Sequence, residues 1–284
     1  MKRDLTLCID IGGTHITTAV VERDMLFLVK GTLIHEYVDS QASKEDILAR
    51  WYNAIAKSIH AAQGKVATML VSIPGPFDYQ NGICLMDGMH KYQSLLHMDV
   101  RDYLSVNFDI REENIFFFND AHAFLLGEVY YYGWSDKRIV GLTLGTGLGS
   151  AWYDGVVPKD LNYGSARFRD GIAEDYISTR GIIDFLSKHT NLKFENIKEL
   201  AQTTHAEHER KMAFSFLTNA LIEFVRIYVI PLNPDAIVIG GSIAKAHTFF
   251  MKELRASTTI PIVVASMDEM NLFYGMITTL TISK

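Results

Sequence analysis

The sequence contains two copies of one pattern, in which a glycine turn separates two apolar, β-favouring runs. The first copy is Leu5–Ile11, the glycines at 12 and 13, and residues 16–21. The second copy is Ile139–Leu144, then residues 145–149 (Gly-Thr-Gly-Leu-Gly) and 150–153. Each copy predicts a β-hairpin, because short β-favouring runs on either side of a turn pair as antiparallel strands. One such hairpin in each half predicts two similar domains.

The first half also contains a helix signal and a strand signal. Ser43 with Asp46 three residues later forms a capping box, and apolar residues recur at helical spacing from there to Gly64. Residues 66–73 have the character of a buried strand, and the Pro-Gly-Pro at residues 74–76 ends it because prolines supply no backbone donor. These patterns predict a helix, then a strand, then a loop at the end of that strand.

The second half continues the alternation. Helices are predicted over residues 121–132 and from about residue 206 to Pro231. Strands that alternate with helices, with a hairpin opening each half, predict an α/β fold of two domains facing a cleft. We expect an N-terminal α/β domain of residues 1–119 and a C-terminal one of residues 120–284, with a C-terminal helix of about residues 268–284 packing back on the first.

Composition excludes several classes of protein. The 284 residues are 48% hydrophobic and 21% charged, which is typical of a globular chain with a sizeable core. A net charge of -6 provides no basic field for nucleic acid. Two cysteines are too few for a secreted disulfide scaffold and favour a cytoplasmic protein. The sequence shows no uninterrupted apolar run of about 18 residues, so we expect no membrane partner.

The two glycine turns suit phosphate binding. Asp10 places a carboxylate beside Gly12 and Gly13, whose backbone N–H groups can approach phosphate oxygens because no Cβ intervenes, and Thr14 adds a hydroxyl. One such turn alone is equally well a plain hairpin. Gly145, Thr146 and Gly147 repeat the chemistry in the second half, as expected if two hairpins hold one polyphosphate.

Two further segments are candidates for binding or catalysis. Asn119 supplies an amide that can orient a hydroxyl, and Asp120 a carboxylate that can accept its proton. The alternative is that they cap the helix that follows. Gly240 and Gly241, before Ser242, could bring backbone close to a base or ribose, although a close strand-to-helix turn explains them almost as well.

The motifs in chain order are Asp-x-Gly-Gly-Thr, Pro-Gly-Pro, Asn-Asp-Ala, Leu-Gly-Thr-Gly and Gly-Gly-Ser, and as a set they resemble the ROK family of sugar kinases and repressors. The resemblance extends over nearly the whole chain. It implies the two-domain actin, hexokinase and Hsp70-type ATPase fold. It also implies that ATP and magnesium bind in the cleft between the domains, with a sugar beside them.

The resemblance also implies roles for single residues. Asp10 would hold magnesium, through water, and Asp120 would be the general base. Asn119 would bind sugar hydroxyls, with Gly75 in the loop beside the sugar. The backbone contacts to ATP would be made at the phosphates by Gly12, Gly13, Thr14, Gly145, Thr146 and Gly147, and at the nucleoside by Gly240 and Gly241.

Three departures from the family concern the sugar and a metal. The Glu-Ile-Gly-His segment, whose Glu and His contact sugar in the family, has no counterpart, which leaves Glu174 as a sugar-ligand candidate or as an ordinary acid in a first helical turn. The family's Pro-Asn before a Trp is replaced around His90 and Tyr92, which offer other donors and a ring face. The family's zinc-binding cysteines are replaced by Ser165, Arg167 and Ile172, so no zinc is expected.

These observations favour an ATP-dependent sugar kinase acting on a hexose or an N-acetylhexosamine-like sugar. Because the Glu-His pair is missing, the alternative function of a catalytically impaired sugar or nucleotide sensor stays open. The presence of Asp120 argues against that alternative. A DNA-binding repressor would need an added helix-turn-helix module, for which Asp10 comes too early in the chain. The expected partners are therefore sugar and ATP. The aromatic cluster of residues 130–132 and Trp134 suits helix-end packing or a subunit contact, which leaves a homodimer open.

Overall fold

The computed structural model describes residues 4–88, 91–266 and 268–282. The chain forms two compact units. Unit 1 consists of Met1–Ala123 and Leu272–Lys284, and unit 2 of Phe124–Asn271. The division falls a few residues beyond the expected boundary at 119/120.

Unit 1 is built on a six-stranded sheet. The strands of the unit are β1 (Leu5–Ile11), β2 (His15–Glu22), β3 (Phe27–Leu28), β4 (Ile34–Tyr37), β5 (Val66–Ile73), β6 (Phe77–Asp78), β7 (Ile83–Cys84) and β8 (Ile115–Asn119). The sheet order is β3-β2-β1-β5-β8, with β4 also paired to β2, and β6 pairs with β7. The predicted hairpin is confirmed, since β1 and β2 are antiparallel. Because β1, β5 and β8 are parallel, their C-terminal ends share one sheet edge.

The helices that begin in unit 1 are α1 (Lys44–Ala62), α2 (Val100–Phe108) and α3 (Asp120–Tyr132). The predicted N-terminus of α1 is confirmed, because Ser43 Oγ accepts from the Asp46 backbone N–H at 3.2 Å. The left-handed residue that ends the helix is Gln63, at φ 49°, rather than Gly64. Ile47, Trp51 and Ile55 of α1 are buried in the core of the unit.

Unit 2 repeats the sheet arrangement of unit 1. Its strands are β9 (Ile139–Leu144), β10 (Leu148–Tyr153), β11 (Pro158–Asp160), β12 (Arg167–Phe168), β13 (Gly171–Ile172), β14 (Ala236–Gly240) and β15 (Ile262–Val264). Five of them form a sheet in the order β11-β10-β9-β14-β15, and β12 pairs with β13. The second predicted hairpin is confirmed by the antiparallel pairing of β9 with β10. β9, β14 and β15 are parallel, as are the corresponding strands of unit 1.

The remaining helices are α4 (Thr179–His189), α5 (Ile197–Gln202), α6 (Glu207–Phe224), α7 (Met251–Ala256) and α8 (Glu269–Ile282). After α6 the chain continues through a π turn, Val225–Val229, and a 3₁₀ turn, Ile230–Leu232, so Pro231 lies inside the last turn. The stretch Glu207–Leu232 is long and apolar enough to span a membrane by length and composition, but half of its most apolar window is buried. Phe214, Leu217 and Phe224 within it belong to the core of unit 2.

Candidate functional site

Asp10 lies near the end of β1, and a neighbouring strand supplies a donor to its carboxylate. Ser72 on β5 is the register partner of Asp10 and is fully buried. Its hydroxyl donates to Asp10 Oδ1 at 2.6 Å. Side chains at paired positions of adjacent parallel strands project to the same face of the sheet, which explains the contact. Ser72 therefore fixes one oxygen of the proposed magnesium carboxylate.

The turn after β1 is fixed by a backbone bond and by a distant tyrosine. Gly12 N donates to His15 O at 2.8 Å, and Thr14 is exposed with Oγ1 2.8 Å from His15 Nδ1. Tyr92 Oη donates to Gly12 O at 2.6 Å. Tyr92 is fully buried, and that burial raises the pKa of its phenol, so the hydroxyl remains a donor at neutral pH.

That contact corrects the interpretation of Tyr92 as a donor or ring face for a sugar. Its hydroxyl is committed to Gly12, and its ring is buried with the Trp51 ring 5.6 Å away. Tyr92 therefore supports the first glycine turn through its hydroxyl. His90, the other residue proposed in this segment, lies outside the described residues.

Asn119 and Gly75 meet beside a tyrosine that sequence analysis did not identify. Asn119 is the last residue of β8, and its Nδ2 donates to Tyr79 Oη at 3.0 Å. A Cβ at position 75 would lie 3.1 Å from Tyr79 Oη and 3.9 Å from Asn119 Nδ2. The Pro-Gly-Pro loop, Tyr79 and Asn119 thus form one polar cluster at the C-terminal edge of the unit 1 sheet.

Asn119 and Asp120 stand at the predicted strand-to-helix junction. Asn119 Oδ1 accepts from the backbone N–H groups of Ala121 at 2.9 Å and His122 at 3.3 Å, so Asn119 does cap α3. Asp120 is the first residue of α3 and is exposed. Its Oδ1 accepts from Ala121 N at 2.9 Å. Asn119 therefore caps α3, while Asp120 beside it keeps an exposed carboxylate.

The second glycine turn, in unit 2, is held by Glu174. Gly145 N donates to Gly147 O at 3.0 Å, and Gly145 O accepts from Thr179 N at 2.8 Å at the start of α4. Glu174 Oε2 accepts from Leu148 N at 3.0 Å, and Glu174 Oε1 lies 3.3 Å from Arg180. A Cβ on Gly147 would lie 2.4 Å from Glu174 Oε2, so a larger residue at 147 would displace that carboxylate from its present position.

Gly240 and Gly241 are required by close packing. Gly241 has a φ of +85°, and a Cβ there would lie 2.3 Å from Leu144 O at the end of β9. A Cβ on Gly240 would lie 2.5 Å from the Phe124 ring. The glycine pair therefore brings the end of β14 against the strand that leads into the second turn, as the structural alternative for this segment predicts.

Unit 2 also contains a cavity of about 640 Å³, within the range of about 300–1,000 Å³ of small-molecule sites. Two of its lining residues, Thr179 and Ser242, adjoin the second glycine turn. Thr179 N donates to Gly145 O, and Ser242 Oγ lies so close to Gly145 that a Cβ there would be 3.5 Å from it. The rest of the lining is apolar and polar side chains of α5 and of the turn after β14: Asn196, Ile197, Lys198, Ala201, Gln202, Lys245, Ala246, Thr248 and Phe249.

The segment where the family has zinc-binding cysteines is held by other contacts. Arg167 and Ile172 are paired across β12 and β13, and Arg169 forms an ion pair with Glu223 at 2.7 Å. The Arg169 guanidinium also lies over the rings of Phe168 and Tyr176, at 5.1 and 5.0 Å. Among the described residues no group of three or more His, Cys, Asp or Glu could hold a metal ion.

The donor set around Asp10 suits magnesium that arrives with its substrate. Mg²⁺ keeps several waters and is held by one or two carboxylates together with substrate phosphates, rather than by a cage of protein ligands. A single hard carboxylate, fixed by Ser72 beside an exposed turn, matches that requirement. Asp10 is therefore the residue of this unit that would hold the ion.

Comparison with known proteins gives consistent results. The sequence model of the ROK family matches residues 6–157, more than half of the chain. A glucokinase of Thermotoga maritima is 26% identical over an alignment of 290 positions, which covers 87% of this chain and 84% of that protein. A Streptomyces griseus ROK family glucokinase, solved with glucose and AMPPNP, matches the fold with a TM-score of 0.73 at 17% identity, covering 96% of this chain and 98% of that one. A ROK hexokinase of Thermus thermophilus matches with a TM-score of 0.69 at 18% identity, covering 98% and 99%.

Proposed function

The chain belongs to the ROK family, and from that premise we propose that it transfers the γ-phosphate of ATP to a hydroxyl of a hexose or an N-acetylhexosamine-like sugar. It has the actin, hexokinase and Hsp70-type ATPase fold, and its enzyme class is carbohydrate kinase. The observation that carries the proposal is the edge of the unit 1 sheet, where Asp10, Asn119 and Asp120 stand at the ends of parallel strands. That edge brings together a carboxylate suited to a metal, an amide suited to a hydroxyl and an exposed carboxylate suited to act as a base.

Asp120 performs the proton transfer in the proposed mechanism. Its carboxylate takes the proton of the sugar hydroxyl as the oxygen attacks the γ-phosphorus, and the bond from that phosphorus to the β-γ bridging oxygen breaks to release ADP. Asn119 orients the sugar. Magnesium, when bound with ATP at Asp10, supplies electrostatic stabilisation of the charge on the phosphates.

Each glycine turn offers groups that suit the phosphate oxygens of ATP. These groups are backbone N–H groups and hydroxyls, which need no rearrangement during the reaction. They belong to Gly12, Gly13 and Thr14 in unit 1 and to Gly145, Thr146 and Gly147 in unit 2. The cavity in unit 2 suits the nucleoside, because its apolar wall can cover a base while Asn196, Gln202 and Ser242 offer groups for the ribose. Gly240 and Gly241 directly precede Ser242, one of its lining residues.

The sugar specificity follows from what the sequence lacks. Without the Glu-Ile-Gly-His segment the site has two fewer polar groups that reward a matching sugar. Glu174 is the remaining acid candidate, although its contact with Leu148 N also gives it a role in holding the second turn. We expect either slow, broad activity on common hexoses or good activity on an atypical sugar. Rapid and selective phosphorylation of plain glucose would contradict both expectations.

The test is an ATP-consumption screen against hexoses, amino sugars and N-acetylated sugars with magnesium present. Sugar-dependent ADP formation with at least one sugar supports the kinase. The alternative, a sensor of sugar or nucleotide, predicts that a sugar or ATP binds in calorimetry while no sugar-dependent ADP forms.

A further inference from the structure

We propose that Tyr79 is a positioning residue for the sugar, which fixes the plane of the Asn119 amide and thereby determines which sugar hydroxyl that amide recognises. This inference rests on the proposed function. It extends that function by naming a residue outside the family motifs, five positions beyond the first proline of the Pro-Gly-Pro loop. All of the contacts that carry it lie in unit 1.

The hydrogen bonds around Asn119 leave one orientation for its amide. Two backbone N–H groups at the start of α3, those of Ala121 and His122, donate to one end of the amide, which must therefore be the oxygen. The Nδ2 end then faces Tyr79 and donates to its hydroxyl at 3.0 Å. The amide oxygen is thus held by two donors, and the amide nitrogen by one acceptor.

Tyr79 is itself restrained at both its hydroxyl and its ring. Because the oxygen of Tyr79 accepts from Asn119, its proton is available for the Ile73 carbonyl, 3.2 Å away at the end of β5. The ring packs on Phe77 with centroids 5.3 Å apart. A directed chain therefore runs from the N-terminus of α3 through the Asn119 amide and the Tyr79 hydroxyl to the sheet, and each bond polarises the next.

This arrangement specifies what Asn119 can offer a sugar. Among the described residues, Nδ2 donates to Tyr79 alone, so its second hydrogen is left for a ligand. The amide presents a donor in one fixed direction, and the matching group is a sugar hydroxyl that accepts. A fixed donor discriminates strongly against an analogue without that hydroxyl, because its own partner is then missing. Without Tyr79 Oη the amide loses the restraint on its Nδ2 end.

Tyr79→Phe tests the inference, because it keeps the ring on Phe77 and removes the hydroxyl. The sugar Kd, measured by calorimetry without ATP, should rise about 10-fold, while the KM for ATP stays at the parental value. The matched control is Tyr103→Phe, which removes another unit 1 hydroxyl that donates to a backbone carbonyl, Leu48 O at 3.0 Å. The control should bind sugar as the parent does.

Monodeoxy analogues of the best sugar give the sharper test. The parental protein should bind one analogue about 10-fold or more weakly, and in Tyr79→Phe the penalty for that analogue should shrink while the penalties for the others remain. Parental sugar affinity together with an unchanged analogue profile in Tyr79→Phe would overturn the inference and leave the kinase standing. Absence of sugar-dependent ADP formation in the parental protein would instead refute the proposed function.

Discussion

Ser72 holds one oxygen of the Asp10 carboxylate. Its hydroxyl holds Asp10 Oδ1 at 2.6 Å from within the sheet, with no exposure to solvent. Groups that hydrogen-bond a metal-binding carboxylate orient it, and their loss lowers metal affinity even though they do not touch the ion. If Asp10 holds magnesium as proposed, Ser72 is a positioning residue for that carboxylate.

Ser72→Ala should raise the magnesium concentration that gives half-maximal rate by about 10-fold, because Asp10 loses its fixed orientation. The measurement is a magnesium titration of ADP formation at saturating sugar. Ser58→Ala is the control, since Ser58 is also buried in unit 1 but donates to Thr32 O, away from Asp10. An unchanged magnesium dependence in Ser72→Ala, with reduced thermal stability in both variants, would limit Ser72 to a role in folding.

Sequence motifs can point to those residues of the proposed site whose signal is local. Asp10, Asn119 and Asp120 each sit in a short motif next to a turn or a helix start, so their neighbours in sequence reveal their chemistry. Ser72 and Tyr79 could not be found in this way. Their contacts depend on strand register and on a loop that brings together residues 62 and 40 positions apart.

At the scale of elements, the second glycine turn and Glu174 depend on each other for their positions. The Glu174 carboxylate caps Leu148 N and occupies the space that a side chain at position 147 would need. A Cβ at 147 would meet the flexible end of Glu174 rather than backbone, so the fold can tolerate it by moving the carboxylate away.

Gly147→Ala should therefore behave as Glu174→Ala does. Each is expected to lower kcat/KM for ATP by about 100-fold through a misplaced turn, with little change in thermal stability. The double variant should be no worse than either single variant, because both remove the same contact. Losses that multiply in the double variant would show that the two residues act independently.

The segment around β12 and β13 should be stable without a metal. Purified protein is expected to hold no stoichiometric zinc by elemental analysis, and EDTA should leave the Tm unchanged. Arg169→Ala should destabilise the protein by about 1 kcal/mol, because it removes the contacts with Phe168, Tyr176 and Glu223, and so lower the Tm by about 2–4 °C. Arg111→Ala, which breaks only a solvent-exposed pair with Glu113, is the control and should not change the Tm. Zinc that resists chelation would contradict this account.

At the scale of the whole molecule, the repeated hairpins predicted the repeated sheet. Each unit has an antiparallel hairpin joined to two parallel strands, as the spacing of glycine turns and helices indicated. The short strands β3, β4, β6 and β7 were not predicted, because segments of two to four residues carry too little periodicity. The end of unit 1 also differs from the expected boundary, since the division falls after Ala123, within α3.

The central claim is that phosphate passes from ATP to a sugar hydroxyl with Asp120 as the base, and γ-³²P-labelled ATP tests it most directly. With the best sugar of the screen, the parental protein should place the label in a sugar phosphate. Asp120→Asn should form that product about 10²- to 10⁴-fold more slowly while binding nucleotide with the parental affinity. Label released only as inorganic phosphate, or sugar phosphate formed by Asp120→Asn at the parental rate, would contradict the account.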